Sequence, residues 1–548
     1  MEEAQVKPRV RVKAGAGYQP QSVTAPVRAR AGYLRDSQSG VIKARPSSLR
    51  EHRDEVRRVW WRAAGLALDM LQNSGRLKGV ADQIIADTIG VELTLNPQPD
   101  LAALGYSQKE ATDWVRLVKN RFKVWAWNPW ECDFRGKFTI PQMTDVGIRN
   151  WLAFGESVGM VQFMSPAQRA RYGARTGTKF LLISPQKLVQ ETSEIEGLFQ
   201  GIYHDANGRP THYRFEETEG GIKVKRDYRV RDVEGRQLIM HAFDPLSADD
   251  VRGITPLAST FRKYLMAENL DDATAQMAHL QTLYAIVLTS EKPSADAFEA
   301  FEAMKDVGGE GAADIASDFV NYYKAELDRA AENEIRIGAG AGISHLAPGE
   351  KLGFETTGVP GKDYLPFAAS LHRETARALG VTYGGYTLDH TAATYASTMM
   401  ENATVHPIAT RRTDRIAAPH VLVPFASWLD EQISEGLIPF KGGTEIYEAN
   451  RDSVLWALCL GPSKPTADDE KAAKAATERL LNGSSSVDVE ASANGQDAEE
   501  VFERNMYWHK RYTDAGMPSP FARKTGSDPA GGKADTPSAA AAAERQDG

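Results

Sequence analysis

The chain has 548 residues, of which 42% are hydrophobic and 25% charged, so it can bury sizeable cores and is neither fibrous nor disordered throughout. Lysine and arginine number 65 against 73 aspartates and glutamates, a formal net of −8, which excludes a basic, sequence-reading DNA binder. No apolar run reaches the roughly 18 residues of a membrane span, and Leu283–Leu288 is typical of the longest. No apolar core follows the first charges of the N-terminus, so no secretory signal is expected. Only Cys132 and Cys459 occur, and so far apart they are expected to be free thiols of a reducing compartment. Length alone predicts about three to four domains.

In chain order, residues 1–46 hold nine basic and three acidic residues among many Gly, Pro, Ser and Ala. They read as a flexible basic arm. Order is expected from Ser47, with Ser48 as N-cap and Glu51 three residues on, before a helix through Val56, Trp60 and Leu66. A second helix is predicted over Gly79–Ile89, a strand over Val91–Leu95 and a helix over 108–127. The run from Trp125 through Trp127 to Trp130 reads as core or rim packing, because basic residues suited to base stacking are sparse around it. Residues 180–245 alternate short apolar and polar stretches with turn signals at Asn207-Gly208, Glu219-Gly220-Gly221 and Glu234-Gly235, which predicts a small β-rich unit.

Pro256 suits the first turn of a helix running to about Ser290, roughly 50 Å if about 35 residues are helical. Leu257, Phe261, Leu265, Ala273, Met277, Leu280 and Tyr284 recur at helical spacing, with Leu265 and Met277 read as one face. Lys263, Glu268, Asp271, Asp272 and Gln276 populate faces read as exposed. So long a helix after a small β unit predicts packing against neighbouring chains. A helix broken at Gly308-Gly309 is expected over Asp296–Ala331, then strands over Ile335–Ile343 and Leu352–Phe354. A helix over Leu365–Leu379 ends at Gly380. Residues 381–394 read as an irregular loop, and a long helix runs from Tyr395 to Gly436 with a break near Pro407 or Pro419. Helices are predicted over Thr466–Leu481 and Asp497–Thr513, and a low-complexity tail from Thr525 through Ala539–Ala543.

Catalytic patterns are few. The P-loop, H-E-x-x-H and paired C-x-x-C patterns are missing from the sequence. Gly155-Glu156-Ser157-Val158-Gly159 fits G-x-S-x-G, but a nucleophile elbow needs a strand before the serine and a helix after it. Here helical Ile148–Phe154 precedes and strand-like Met160–Met164 follows. No companion histidine is evident, and a helix-to-strand turn is the expected role. Gly338-Ala-Gly340-Ala-Gly342 lacks the third spaced glycine of a dinucleotide site. No catalytic, cofactor-binding or metal-binding residue is assigned.

From Leu49 to about Pro520 the chain resembles the lambda-type portal proteins of tailed bacteriophages. The stretch Asp133-Phe-Arg-Gly-Lys-Phe138, then Gly155-Glu156 and the strand to Met164, is similar to the family's early signature. Leu182-Ile-Ser-Pro185 to Leu188, Gly201-Ile202 and Gly208-Arg-Pro210 are similar to its next blocks. His241-Ala-Phe243 with Arg252-Gly253 resembles the His-x-Phe…Gln-x-Arg-Gly block, although Asp249-Asp250 replace the usual Gly-Gln. Leu346-Ala-Pro348-Gly349-Glu350 and Gly495-Gln-Asp497-Ala-Glu499-Glu500 are similar to later blocks. Leu379-Gly380-Val381-Thr382-Tyr383 with Tyr395-Ala-Ser397 is similar to another, with Met399 where the family carries an arginine.

The resemblance implies an α+β, multi-domain portal subunit with wing, stem, clip and crown regions. It implies a ring, usually of twelve copies, with a central channel at one capsid vertex. On that basis 1–46 is the arm, 47–185 the first wing part, 186–196 a first stem segment, 197–250 the clip and 251–290 the stem helix. Residues 291–383 are the second wing part, 384–394 the tunnel loop, 395–464 a long helix joining wing and crown, 465–520 the crown and 521–548 a disordered tail. The tunnel-loop residues are Gly384, Gly385, Tyr386, Thr387, Asp389, His390, Thr391 and Thr394, a polar set without Lys or Arg. Tyr386 and His390 are placed to touch the duplex. Fixed cations would brake moving DNA through counterion release. The stem interface residues are Phe261, Leu265, Ala273, Met277 and Leu280. Implied partners are double-stranded DNA without sequence specificity, the terminase large subunit, major capsid protein, scaffold protein and head-completion or adaptor proteins, with no membrane. The implied location is the virion, after assembly in the host cytoplasm. The competing readings are another neck or tail connector and a serine hydrolase using Ser157.

Overall fold

The computed structural model describes residues 51–283, 321, 364–391, 393–464, 466 and 468–522. The basic arm, the Ser48 cap, the elements expected over 291–363, the Leu346–Glu350 block and the alanine-rich tail lie outside them, as does the side chain of Leu280. Met1–Glu55 and Val56–Gly548 are two compact units, and the sheets and cores belong to the second.

Ten longer helices carry the fold: α1 His52–Asn73, α2 Gly75–Thr88, α3 Gln108–Ala126, α4 Ile140–Phe154, α5 Phe261–Leu283, α6 Tyr364–Leu379, α7 Tyr395–Arg412, α8 Pro419–Ser434, α9 Asp469–Leu481 and α10 Ala498–Asp514. Their starts follow from local chemistry. Ser107 with Glu110 and Thr139 with Gln142 form reciprocal caps at α3 and α4, each satisfying backbone donors that a helix start leaves open. Gly155 ends α4 in the left-handed region, at φ +85. A Cβ there would lie 2.1 Å from the Ile254 carbonyl carbon, so only glycine allows this close approach.

Three sheets are present among the described residues. Strand β2 (Glu156–Phe163) is central in the antiparallel order β3-β2-β8, with β3 Thr178–Ile183 and β8 Ile239–Phe243. Strands β4 Leu198–Phe199, β5 Ile202–His204, β6 Pro210–Glu219 and β7 Ile222–Arg229 form an antiparallel meander. Strand β1 (Thr94–Pro97) pairs with β9 (Ala457–Leu460), closing residues more than three hundred apart in sequence. The predicted turns hold: Gly208, Gly220, Gly221 and Gly235 all take positive φ. The β-rich stretch is nevertheless not one unit. β3 and β8 pair with β2 rather than with the meander, and a buried cluster of Val158, Ile183, Leu188, Ile202, Phe215 and Ile239 joins the two sheets.

The main core lies between α2, α3, α4 and α8, with Trp114, Phe122, Trp125, Trp151, Phe425 and Trp428 buried. The Trp125 end of the aromatic run is thus core, whereas Trp127 and Trp130 are exposed. Both cysteines are free thiols. The long helix expected from Tyr395 is interrupted at Thr413–Ala417 by a π turn, and it resumes at Pro419. Proline has no N–H for the α-helical bond, and Ala418 N–H instead donates to the Thr413 carbonyl at 2.8 Å. The short helix Val487–Ala493 was not foreseen. Among the described residues no helix is long and apolar enough to cross a membrane.

Candidate functional site

The segment Gly384–Thr394 is fastened at both ends. Thr382 Oγ1 accepts from Gly385 N–H at 2.9 Å and starts a single helical turn, Tyr383–Thr387. Leu388 ends that turn at φ +57. Asp389 accepts from the Thr391 N–H at 3.0 Å and the Thr391 hydroxyl at 2.7 Å, bonds that hold its carboxyl below the usual range. Thr394 then caps α7 by accepting from Ser397 N–H. A Cβ on Gly384 would lie 2.7 Å from the His390 ring, so the imidazole rests on this glycine. Leu388, Asp389, His390, Thr391 and Thr394 are exposed.

Two expectations for this segment need correction. It is not irregular throughout, because Tyr383–Thr387 is helical. Tyr386 does not face solvent: it is 3% exposed and belongs to the main core. The sequence shows an aromatic among glycines and threonines, and nothing local reveals that the turn rolls its ring inward. Burial pushes the Tyr386 hydroxyl up to about 12.

The Tyr386 ring meets His372 of α6 at 5.6 Å between centroids. His372 Nδ1 lies 3.5 Å from Arg76 of α2, which also pairs with Asp271 of α5 at 3.3 Å. Tyr364 OH donates to the same Asp271 at 2.6 Å. The base of the segment and helix α5 therefore share one polar hub. Asp271 is consequently not on a free face, a further correction. Burial, reinforced by Arg76, holds His372 below its ordinary value.

On α5, Tyr264 and Ala267 are buried, while Phe261 and Leu265 are partly buried. Ala273 and Met277 are exposed, Met277 at 46%. Leu265 and Met277 are not on one face: twelve residues at 3.6 per turn end about 120° round the helix.

Ser157 does have a histidine. Its Oγ lies 2.8 Å from His420 Nε2, and His420 Nδ1 lies 3.2 Å from the Ala417 carbonyl. The expectation of no companion histidine was wrong, since nothing in a separation of 263 residues announces it. Both side chains are wholly buried, and a Cβ on Gly147 would fall 2.2 Å from Nε2. A substrate has no room there, and burial presses the imidazole down to about 4. The bond fastens β2 to α8.

Sequence reading also missed a buried ion pair. Arg252 donates from Nε to both Glu156 carboxylate oxygens at 2.8 Å, and from its other nitrogens to the Gln200 and Pro185 carbonyls. His241 Nε2 lies 3.0 Å from Glu156, and Tyr213 OH 3.0 Å from His241 Nδ1. Burial alone would raise the Glu156 carboxyl, but Arg252 and His241 outweigh it and hold the group at about 2. The only signal was that Gly155-Glu156, His241 and Arg252-Gly253 each stood in a matched block. Among the described residues no group of three His, Cys, Asp or Glu side chains is placed to hold a metal ion.

Known proteins match over most of the chain. Portal protein B of Escherichia phage lambda is 23% identical over 470 residues, covering 84% of this chain and 85% of that protein. The portal protein of Escherichia phage N15 is 22% identical over 474 residues, with 84% and 86% covered. Among solved structures, a chain from the neck of an empty GTA particle computed with C6 symmetry matches at TM-score 0.35 and 16% identity, over 68% of this chain and 82% of that one. A chain from the virion of a native gene transfer agent particle matches at TM-score 0.32 and 15% identity, over 71% and 93%. The family described as phage portal protein, lambda family, matches residues 40–412. With that match across most of its length, the chain belongs to the lambda family of phage portal proteins.

Proposed function

We propose that about twelve copies of this subunit form a ring at one capsid vertex, and that double-stranded DNA is driven through its channel by the terminase large subunit and later ejected. The observation that carries this reading is the family match over residues 40–412. In this reading 47–185 and 291–383 form the wing, 197–250 the clip, 186–196 and 251–290 the stem, 384–394 the tunnel loop, 395–464 the wing-to-crown connection and 465–520 the crown. Major capsid protein, scaffold protein and head-completion or adaptor proteins bind around the ring. Assembly takes place in the host cytoplasm, and the ring's final location is the virion.

Two features support the assignment of the channel elements. The exposed residues Leu388–Thr391, Ala393 and Thr394 include no Lys or Arg, so they offer moving phosphates no fixed counter-charge. The distal part of α5 exposes Ala273 and Met277, leaving apolar surface for neighbouring stems. The ring is scaffolding and conduit in this reading, and the chemical work belongs to the motor. Electron microscopy of the purified chain tests it: rings with a central hole are expected, and a stable 60.1 kDa monomer in all salts would overturn it.

A further inference from the structure

The loop after α3 and the helix Pro166–Tyr172 meet in a patch that is exposed among the described residues. Trp130 is 52% exposed, and its indole N–H donates to the Tyr172 carbonyl at 2.7 Å. Gly136 packs on the indole face, where a Cβ would lie 2.9 Å from the ring. Arg135 and Lys137 therefore flank Trp130, and Arg171 lies over the exposed Tyr172 ring at 5.7 Å. Arg175 is exposed beside them.

The local acids are already engaged. Glu131 accepts from the Arg175 and Thr176 N–H groups and from the Thr176 hydroxyl. Asp133 is buried and accepts from the N–H groups of Arg135, Lys137 and Phe138. Among the described residues no ion pair involves Arg135, Lys137, Arg171 or Arg175. The patch is also stiff, because the buried Lys179 ammonium donates to the Trp130 and Glu131 carbonyls. In a chain of net −8, a stiff surface of arginines on exposed aromatic rings has the composition of an interface centre.

The complement lies on the same chain. Glu445 and Glu448, three residues apart on the helix Gly443–Ala449, are exposed. They too form no ion pair among the described residues. That helix is anchored through Tyr447 against Phe440, which packs on Tyr106 and Trp114 at the N-terminal end of α3. Trp130 follows the C-terminal end of α3. Both surfaces are tied to neighbouring residues of α8, Tyr447 OH donating to Asp430 at 2.6 Å and the Thr178 N–H to Glu431 at 2.8 Å, so they sit at separate, fixed places on one rigid frame. Complementary patches at separate places on a subunit generate a head-to-tail contact, which closes into a ring when the rotation allows.

We infer that the Trp130–Tyr172 patch docks a second copy of this chain, receiving its Glu445–Glu448 surface. This rests on the ring reading and names one contact within it. The test is charge exchange at exposed positions, read by light scattering and electron microscopy. Arg171→Glu with Arg175→Glu is expected to abolish the ring peak, as is Glu445→Arg with Glu448→Arg, each with unchanged circular dichroism. The four substitutions combined are expected to restore it.

Rings at wild-type yield from either double variant would overturn the docking proposal and leave the ring reading intact. Loss without restoration in the fourfold variant would also overturn it. So would intact rings that have lost affinity for duplex DNA, which would make the patch a nucleic-acid surface. A wild-type chain that never forms rings would remove the underlying reading itself.

Discussion

Arg252 and Glu156, 96 residues apart in sequence, form a bidentate ion pair with neither side chain exposed to solvent. The pair binds the end of α4, the β2–β8 sheet and the Gln200 turn of the meander at one point. Trp60 of α1 covers the guanidinium at 4.7 Å.

Removing one partner strands the other charge in the core. Arg252→Met is expected to lower stability by about 3–5 kcal/mol, measured by urea unfolding followed through tryptophan fluorescence. Adding Glu156→Gln should cost less than the sum of the two single changes. Strict additivity would show that the two groups are not coupled.

Acid should act on this protein in two stages. His420 is held at about 4 against 6.5 when free. The unfolded chain therefore binds its proton first, and stability falls as pH drops from about 6.5 to about 4, by about 3 kcal/mol. Glu156, held at about 2 against 4.5, contributes stability that is present above pH 4.5 and lost as pH falls through 2. Melting temperatures across pH 7 to 4 should slope in the native chain and flatten in His420→Asn. An unchanged slope would remove His420 as the cause.

The Gly384–Thr394 segment should divide into two parts. Tyr386→Ala empties a core site and is expected to cost about 3–5 kcal/mol. Deleting residues 389–393, beyond the buried ring, should leave thermal stability and ring formation near wild type while impairing retention of packaged DNA. Normal retention in that deletion would move the channel loop elsewhere.

Along α5 the expected order of damage differs between fold and assembly. Met277→Asp should leave the subunit's melting temperature within about a degree or two, since the residue is exposed, yet lower ring yield. Asp271→Ala should instead cost about 1–2 kcal/mol, because Arg76 and the Tyr364 hydroxyl lose a shared acceptor. Light scattering and melting curves on both variants separate the two effects.

What the sequence made legible was local. Helices with a side-chain cap or a glycine stop were placed within a few residues, as over 108–127, capped by Ser107, and Leu365–Leu379, followed by Gly380 at positive φ, and the meander's turns were visible as Asn-Gly and Gly-Gly pairs. What stayed hidden depended on partners far along the chain. Tyr386 is buried by His372, Ser157 is met by His420, and Glu156 by Arg252. The basic patch around Trp130 was missed because its charges come from 135–137 and 171–175, two stretches far apart in sequence that are joined by the indole bond to Tyr172 and by Glu131 accepting from the Arg175 N–H.

The π turn at Thr413–Ala417 has a consequence for the direction of the helices it joins. An extra residue in one turn advances the winding by about 100°, so α7 and α8 do not share one continuous helical phase. α8 is embedded, with Phe425, Trp428 and Leu429 in the core, whereas α7 buries only Ala409 among its described side chains. Thr413, Ile416 and Ala417 of the turn are themselves buried, and the Thr413 hydroxyl donates to the Thr88 carbonyl at 2.7 Å, so the core fixes this change of phase and with it the direction in which α7 leaves α8.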